Sequence, residues 1–165
     1  MQQENTPKAV IGRAERVALP EYRLKAVPAK IDSGADTSSI WASDIVEHED
    51  RLSFKLFGTG SPYYTGQIIT CEPDDYTVTR VASSFGHREM RFAIKLVVNV
   101  KGRRIRGTFT LADRANKTYP ILLGRKLLHG KFLIDVAKGH ALKDLEKQKK
   151  DAMRQEIDNL RSQSI

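Results

Sequence analysis

Between Arg91 and Leu111 the chain reads RFAIKLVVNV, then Lys101-Gly102, then RRIRGTFTL: two apolar-rich runs around a two-residue turn signal. Such a pattern closes into an antiparallel hairpin, with Gly102 taking the positive φ that the turn demands. The middle of the chain is thereby committed to sheet, and flanking runs extend it. Residues 10–20 and 22–31 read as strands joined at Leu19-Pro20, and 52–57 as another. Residues 63–71 and 76–82 read as strands set off by the turn clusters 58–62 and 72–75. Residues 119–123 form a short buried-type run ending at Gly124. The stretch 125–129 suits one or two helical turns capped by Gly130, and 132–136 returns to strand. An all-β core over residues 10–138 is expected, preceded by a tail at 1–9. Beyond it, Leu142, Leu145, Ala152, Met153, Ile157 and Leu160 recur at helical spacing among many charges, predicting a C-terminal helical appendage within 139–165.

A length of 165 residues fits one domain plus that appendage. No stretch approaches the roughly 20 apolar residues of a membrane span, and residues 1–30 hold no apolar run like that of a signal peptide, so a cytoplasmic protein with no membrane contact is expected. Cys71 is the only cysteine, which excludes an internal disulfide and a thiolate cluster. The net charge of +8 is unevenly spread. Residues 1–100 carry 12 Lys+Arg against 13 Asp+Glu, whereas 101–131 carry 9 against Asp113 alone. Such a band favours an acidic partner, nucleic acid or acidic peptide. The band's only aromatics are Phe109 and Tyr119, too few for base stacking, so nucleic acid is the less favoured of the two.

The stretch Ala29-Lys30-Ile31-Asp32-Ser33-Gly34-Ala35-Asp36-Thr37 puts a carboxylate at the end of an apolar strand, directly before a turn of small residues. Far downstream, Pro120-Ile121-Leu122-Leu123-Gly124-Arg125 supplies a second apolar run and a glycine. Together these resemble the D-[ST]-G-A and apolar-apolar-glycine elements of retroviral-type aspartic proteases. Ile11-Gly12-Arg13 with Val17-Ala18-Leu19-Pro20, Thr110-Leu111-Ala112-Asp113-Arg114, and Gly130-Lys131-Phe132-Leu133-Ile134-Asp135 add to the likeness. It is greatest to a bacterial retropepsin-like family whose members are labelled ATP-dependent zinc proteases, and it covers residues 10–136. The resemblance implies a single-lobe acid-protease barrel with a short helix after the second motif. It implies a catalytic Asp32 with Ser33 and Gly34, supported by Ala35, Asp36, Thr37, Leu123, Gly124 and Arg125. It further implies a brace between Asp36 and Arg125, for which bidentate geometry is expected. A substrate-covering flap falls at 81–87, with Ser83, Ser84, Phe85, Gly86 and His87 as its residues. Relatives are associated with ligases that add glutamates to a ribosomal protein, which suggests an acidic or glutamate-rich peptide substrate.

The chemistry explains why these residue types are needed. Two carboxylates about 3 Å apart cannot both ionise, so they share a proton; one activates water while the other polarises the scissile carbonyl. Ser33 offers a hydroxyl across the junction of two such turns, and Gly34 lets a backbone N–H approach the carboxylate. The sequence holds one motif and no internal repeat, and neither Asp36 nor Asp113 precedes a matching turn. The second acid must come from another copy, which an isologous homodimer places at its axis.

Other chemistries lack their residues. There is no H-E-x-x-H, and His48, His87, His129 and His140 are scattered singly, so no metal is expected. Neither a P-loop nor a G-x-S-x-G occurs, and no cofactor is expected. The competing readings are a retropepsin-like module that binds peptide without cutting it, and a basic RNA-binding β-barrel.

Overall fold

The computed structural model describes residues 7–82, 85–139 and 142–163. Its central hairpin is formed by β8 (Arg88–Val100) and β9 (Arg103–Ala112), which pair antiparallel from Val100↔Arg103 to Ala93↔Thr110. Lys101 and Gly102 both adopt positive φ, 50° and 77°, as a two-residue hairpin turn requires. Ile94, Leu96, Val98 and Val100 alternate inward along β8, and Ile105, Phe109 and Leu111 meet them from β9.

Around this hairpin the remaining strands close a ring. In chain order these are β2 (Ala14–Leu19), β3 (Leu24–Ile31), β4 (Ser38–His48) and β10 (Ile121–Leu123). The ring runs β10-β3-β2-β8-β9-β4 and shuts because β10 also pairs with β4. Closure leaves one enclosed core, in which Leu19, Ile40, Phe54, Phe57, Phe109, Ile121 and Leu123 are fully buried. Two further strands, β5 (Arg51–Leu56) and β6 (Ile68–Cys71), extend the sheet from β4, and β7 (Tyr76–Ala82) pairs with the outer half of β8. The all-β barrel expected from the sequence is the observed fold, with helix α1 (Arg125–Leu128) directly after β10.

Three segments differ from expectation. Residues 10–20 are not one strand but β1 (Ala9–Ile11) and β2, broken at Gly12-Arg13. There the chain crosses residues 138–139 so closely that a Cβ on Gly12 would lie 2.6 Å from the Lys138 carbonyl carbon. Strand β1 leaves the barrel to pair in parallel with β11 (Phe132–Ile134). Of residues 63–71 only Ile68–Cys71 is strand. The preceding part is held by a turn in which the Tyr64 N–H donates to the Ser61 carbonyl, while Tyr63 and Tyr64 pack at the edge of the core. Strand β4 was not expected at all. Its start, SSIWAS, lacks alternation because both of its faces are shielded, with Ser38, Ser39, Ile40 and Ala42 all buried where it runs between β9 and β10.

Helix α2 (Lys143–Gln163) follows. Its base is tied down: Leu142 is buried against Ala14 and Tyr119, and Glu146 pairs with Arg13 and accepts from the Tyr119 hydroxyl at 2.6 Å. Burial and the Glu146 carboxylate push the Tyr119 phenol well above its ordinary value. From Lys150 to Gln163 every residue is exposed. Among the described residues no helix is long and apolar enough to cross a membrane.

Candidate active site

The position of β10 builds the site. It runs parallel to β3, with Leu123 opposite Ile31, and antiparallel to β4, with Leu122 opposite Ser39. The chain leaving β3 must therefore arch over the end of β10 before it returns as β4. That arch is Asp32 to Thr37, and it is pinned from below by backbone bonds. The Asp32 N–H donates to the Leu123 carbonyl at 2.9 Å, and the Arg125 and Lys126 N–H groups donate to the Ala35 and Asp36 carbonyls at 2.7 and 3.1 Å. The Gly124 N–H donates to the Oγ of buried Ser38 at 3.0 Å. Gly124 sits so close beneath the arch that a Cβ would lie 2.7 Å from the Thr37 carbonyl carbon and 2.9 Å from the Ala35 oxygen.

Within the arch, Asp32 Oδ1 accepts from the N–H of Gly34 at 3.0 Å and of Ala35 at 3.2 Å. An acid fixed by two backbone donors keeps one orientation and leaves its other oxygen for outside partners. Asp32 is partly exposed, and Ser33 beside it is exposed, with no side-chain hydrogen bond among the described residues. The Gly34 N–H is one of the two donors, and a Cβ there would approach Asp32 Oδ1 to 3.2 Å.

Asp36 and Arg125 do form an ion pair, through Oδ1 and Nη2, one prong of the expected fork. Both side chains are more than half exposed, at 61% and 55%. Exposed pairs contribute about 0–1 kcal/mol, and here the neighbouring backbone bonds hold the same two segments together. Arg125→Ala is accordingly expected to cost less than about 1 kcal/mol in a urea melt; a loss of several would show that the pair carries the junction.

Asp32, Gly34 and Asp36 open onto a cleft of about 790 Å³. Its far side is the β7–β8 hairpin, which contributes Thr79, Arg80, Val81 and Ala82 from β7 and Arg91, the register partner of Thr79, from β8. Strand β7 ends at Ala82 and β8 begins at Arg88, and the flap was expected over 81–87. Ser83 and Ser84 lie outside the described residues; Phe85 is 90% exposed, Gly86 has φ 77°, and His87 is exposed. Of those flap candidates that are described, none reaches the cleft wall, which is formed instead by the strands behind them.

The charge of this cleft is one-sided. Arg80, Arg91, Arg114, Lys117, Arg125 and Lys126 line it against the two carboxylates Asp32 and Asp36. Only four of these six belong to the basic band at 101–131; Arg80 and Arg91 come from the hairpin and were not singled out in the sequence. The rest of the band points elsewhere: Lys101 pairs with Glu15, and Arg103 donates to the Lys131 carbonyl. Ser39 and Thr110, both buried on the cleft floor, were also missed, because they belong to β4 and its register with β9.

The chain is similar to several known proteins. It is 33% identical over 141 residues to a "Probable alpha-L-glutamate ligase" of Shewanella pealeana, a match that covers 82% of this chain and 30% of that protein. A protein of the same name from Desulfotalea psychrophila is 28% identical, covering 88% and 32%. The chain thus spans less than a third of the length of these curated relatives. Among solved structures, Lpg0085 of Legionella pneumophila, a protein of unknown function, shares the fold with a TM-score of 0.61 at 24% identity, covering 80% of this chain and 96% of its own. The model of the family described as "Retropepsin-like aspartic endopeptidase RimB" matches residues 10–144, from β1 through the arch and β10 to the base of α2. On that match the chain belongs to the RimB-like family of retropepsin-like aspartic endopeptidases.

Proposed function

We propose that the chain is one half of a homodimeric aspartic endopeptidase that cuts acidic, glutamate-rich peptide segments, with Asp32 from each subunit forming the dyad. The observation that carries this reading is the arch itself: a carboxylate oriented by two backbone N–H groups at the mouth of a cleft. The second carboxylate the reaction needs is supplied by no other turn of this kind in the sequence. With both present, the pair holds one proton; the ionised member draws a proton from water, and the protonated member donates to the substrate carbonyl oxygen as the tetrahedral intermediate forms. The β7–β8 hairpin covers the substrate from above. In this reading Ser33, exposed and with no side-chain hydrogen bond among the described residues, meets the twin arch across the axis.

Two observations support an acidic substrate: the six cations around the cleft, and the glutamate-ligase names of the relatives. An RNA-binding reading loses its footing because Phe109 and Tyr119, the only aromatics of the basic band, are 0% and 7% exposed and have no face free for a base.

The test uses concentration. Hydrolysis of a glutamate-rich peptide should show specific activity that falls on dilution in step with dimer dissociation measured by sedimentation. Constant specific activity in a strictly monomeric sample would sink the proposal.

A further inference from the structure

One cation of the cleft differs from the rest. Arg114, in the loop between β9 and β10, is partly buried, and its Nε is committed to the Tyr119 carbonyl at 3.0 Å. Its two Nη groups have no acceptor among the described residues, and no ion pair closes between Arg114 and Asp32, although both line the cleft. The nearby side chain that does carry a partner is itself cationic: Arg91, on the facing hairpin, is paired with Glu89. Burial, and then the positive charge of Arg91, push the Arg114 guanidinium below its ordinary value, while Asp32 acts in the opposite sense. On the same cleft Ser39 is 5% exposed, and its buried Oγ has no hydrogen-bond partner.

A half-buried guanidinium whose Nη donors find no acceptor among the described residues, on a cleft it shares with the Glu89-paired Arg91 and the orphaned Ser39 hydroxyl, is unfavourable without an anionic partner. Entry of an anion with planar, forked acceptors reverses that, because two Nη donors match a carboxylate and the neighbouring charge then helps. We infer that Arg114, backed by Arg91 and Ser39, is a specificity-determining residue that receives the side-chain carboxylate of a substrate residue beside the bond addressed by Asp32. This rests on the endopeptidase reading and adds to it a selection for Glu over Gln at one defined subsite. The remaining cleft cations, Arg80, Lys117, Arg125 and Lys126, act more diffusely and would attract acidic chains without choosing a position.

The experiment compares two capped peptides, one glutamate-rich and one with Gln in place of Glu flanking the scissile bond. For the wild type, kcat/KM should favour the Glu peptide by about tenfold or more. In Arg114→Gln that ratio should fall to about one, and Arg114→Lys, which keeps the charge but not the fork, should retain part of it. A ratio that survives in Arg114→Gln overturns the inference and leaves the endopeptidase reading standing. If the wild type cuts neither peptide, the endopeptidase reading fails on its own, and binding of the same two peptides decides the subsite. A Glu preference abolished by Arg114→Gln supports it, and a preference that is absent or unaltered overturns it. Should Arg114→Gln not fold, Arg91→Gln reads the same subsite from β8: the ratio should drop by about threefold or more, and an unchanged ratio overturns the inference.

Discussion

Asp32→Asn is expected to lower kcat/KM on peptide by about 10³–10⁴-fold or more while leaving fold and dimer intact. The fold should survive because Asn keeps a carbonyl Oδ1 that can accept the same two N–H groups, from Gly34 and Ala35, and Asn suits such turns. The chemistry should not, because an amide neither takes a proton from water nor shares one with a twin. Subunit mixing sharpens the test. With equal amounts of wild type and Asp32→Asn freely exchanging, about a quarter of the dimers keep both acids, so activity should fall to about a quarter of that of the same total concentration of wild type. A monomeric catalyst would instead retain half. Residual hydrolysis by purified Asp32→Asn near the wild-type rate would remove Asp32 from the mechanism altogether.

The acid turn could be read directly from the sequence because its signal is local: an apolar strand, an acid and small residues, followed far away by an apolar run ending in glycine. The central hairpin was readable for a similar reason, as period-two alternation around Lys101-Gly102 is a pattern confined to one face. Strand β4 was not, although it is the other wall of the site. Alternation appears only where one face is wet, and at the start of β4 both faces are shielded, so Ser38, Ser39 and Ala42 give no rhythm to detect. The electrostatics were legible in sign but not in place. Charge density along the chain pointed to 101–131, yet strand register sends Arg103 and its neighbours to the far end of β9 and brings in Arg80 and Arg91 from β7 and β8. Which basic residues face one cleft depends on pairings between strands distant in sequence, and a linear reading of charge does not contain them.

Gly124→Ala should destabilise the protein by about 3 kcal/mol, lowering the melting temperature by roughly 6–12 °C, and should cost about 100-fold in activity in whatever fraction folds. The added methyl would meet backbone rather than a flexible side chain, with the Thr37 carbonyl carbon at 2.7 Å, its oxygen at 2.8 Å and the Ala35 oxygen at 2.9 Å. Relief requires the arch to lift away from β10. Lifting it strains the bonds from Arg125 and Lys126 to the Ala35 and Asp36 carbonyls and tilts the turn that orients Asp32. In the proposed dyad, which must hold one shared proton, a displacement of about 1 Å is enough for a hundredfold loss. Gly60→Ala is the matched control: nothing lies within 4 Å of a Cβ there, so the change should stay within about 0.5 kcal/mol. Equal melting temperatures for the two variants would mean that the arch is free to move off β10, and the tight seat that fixes Asp32 would no longer explain the site.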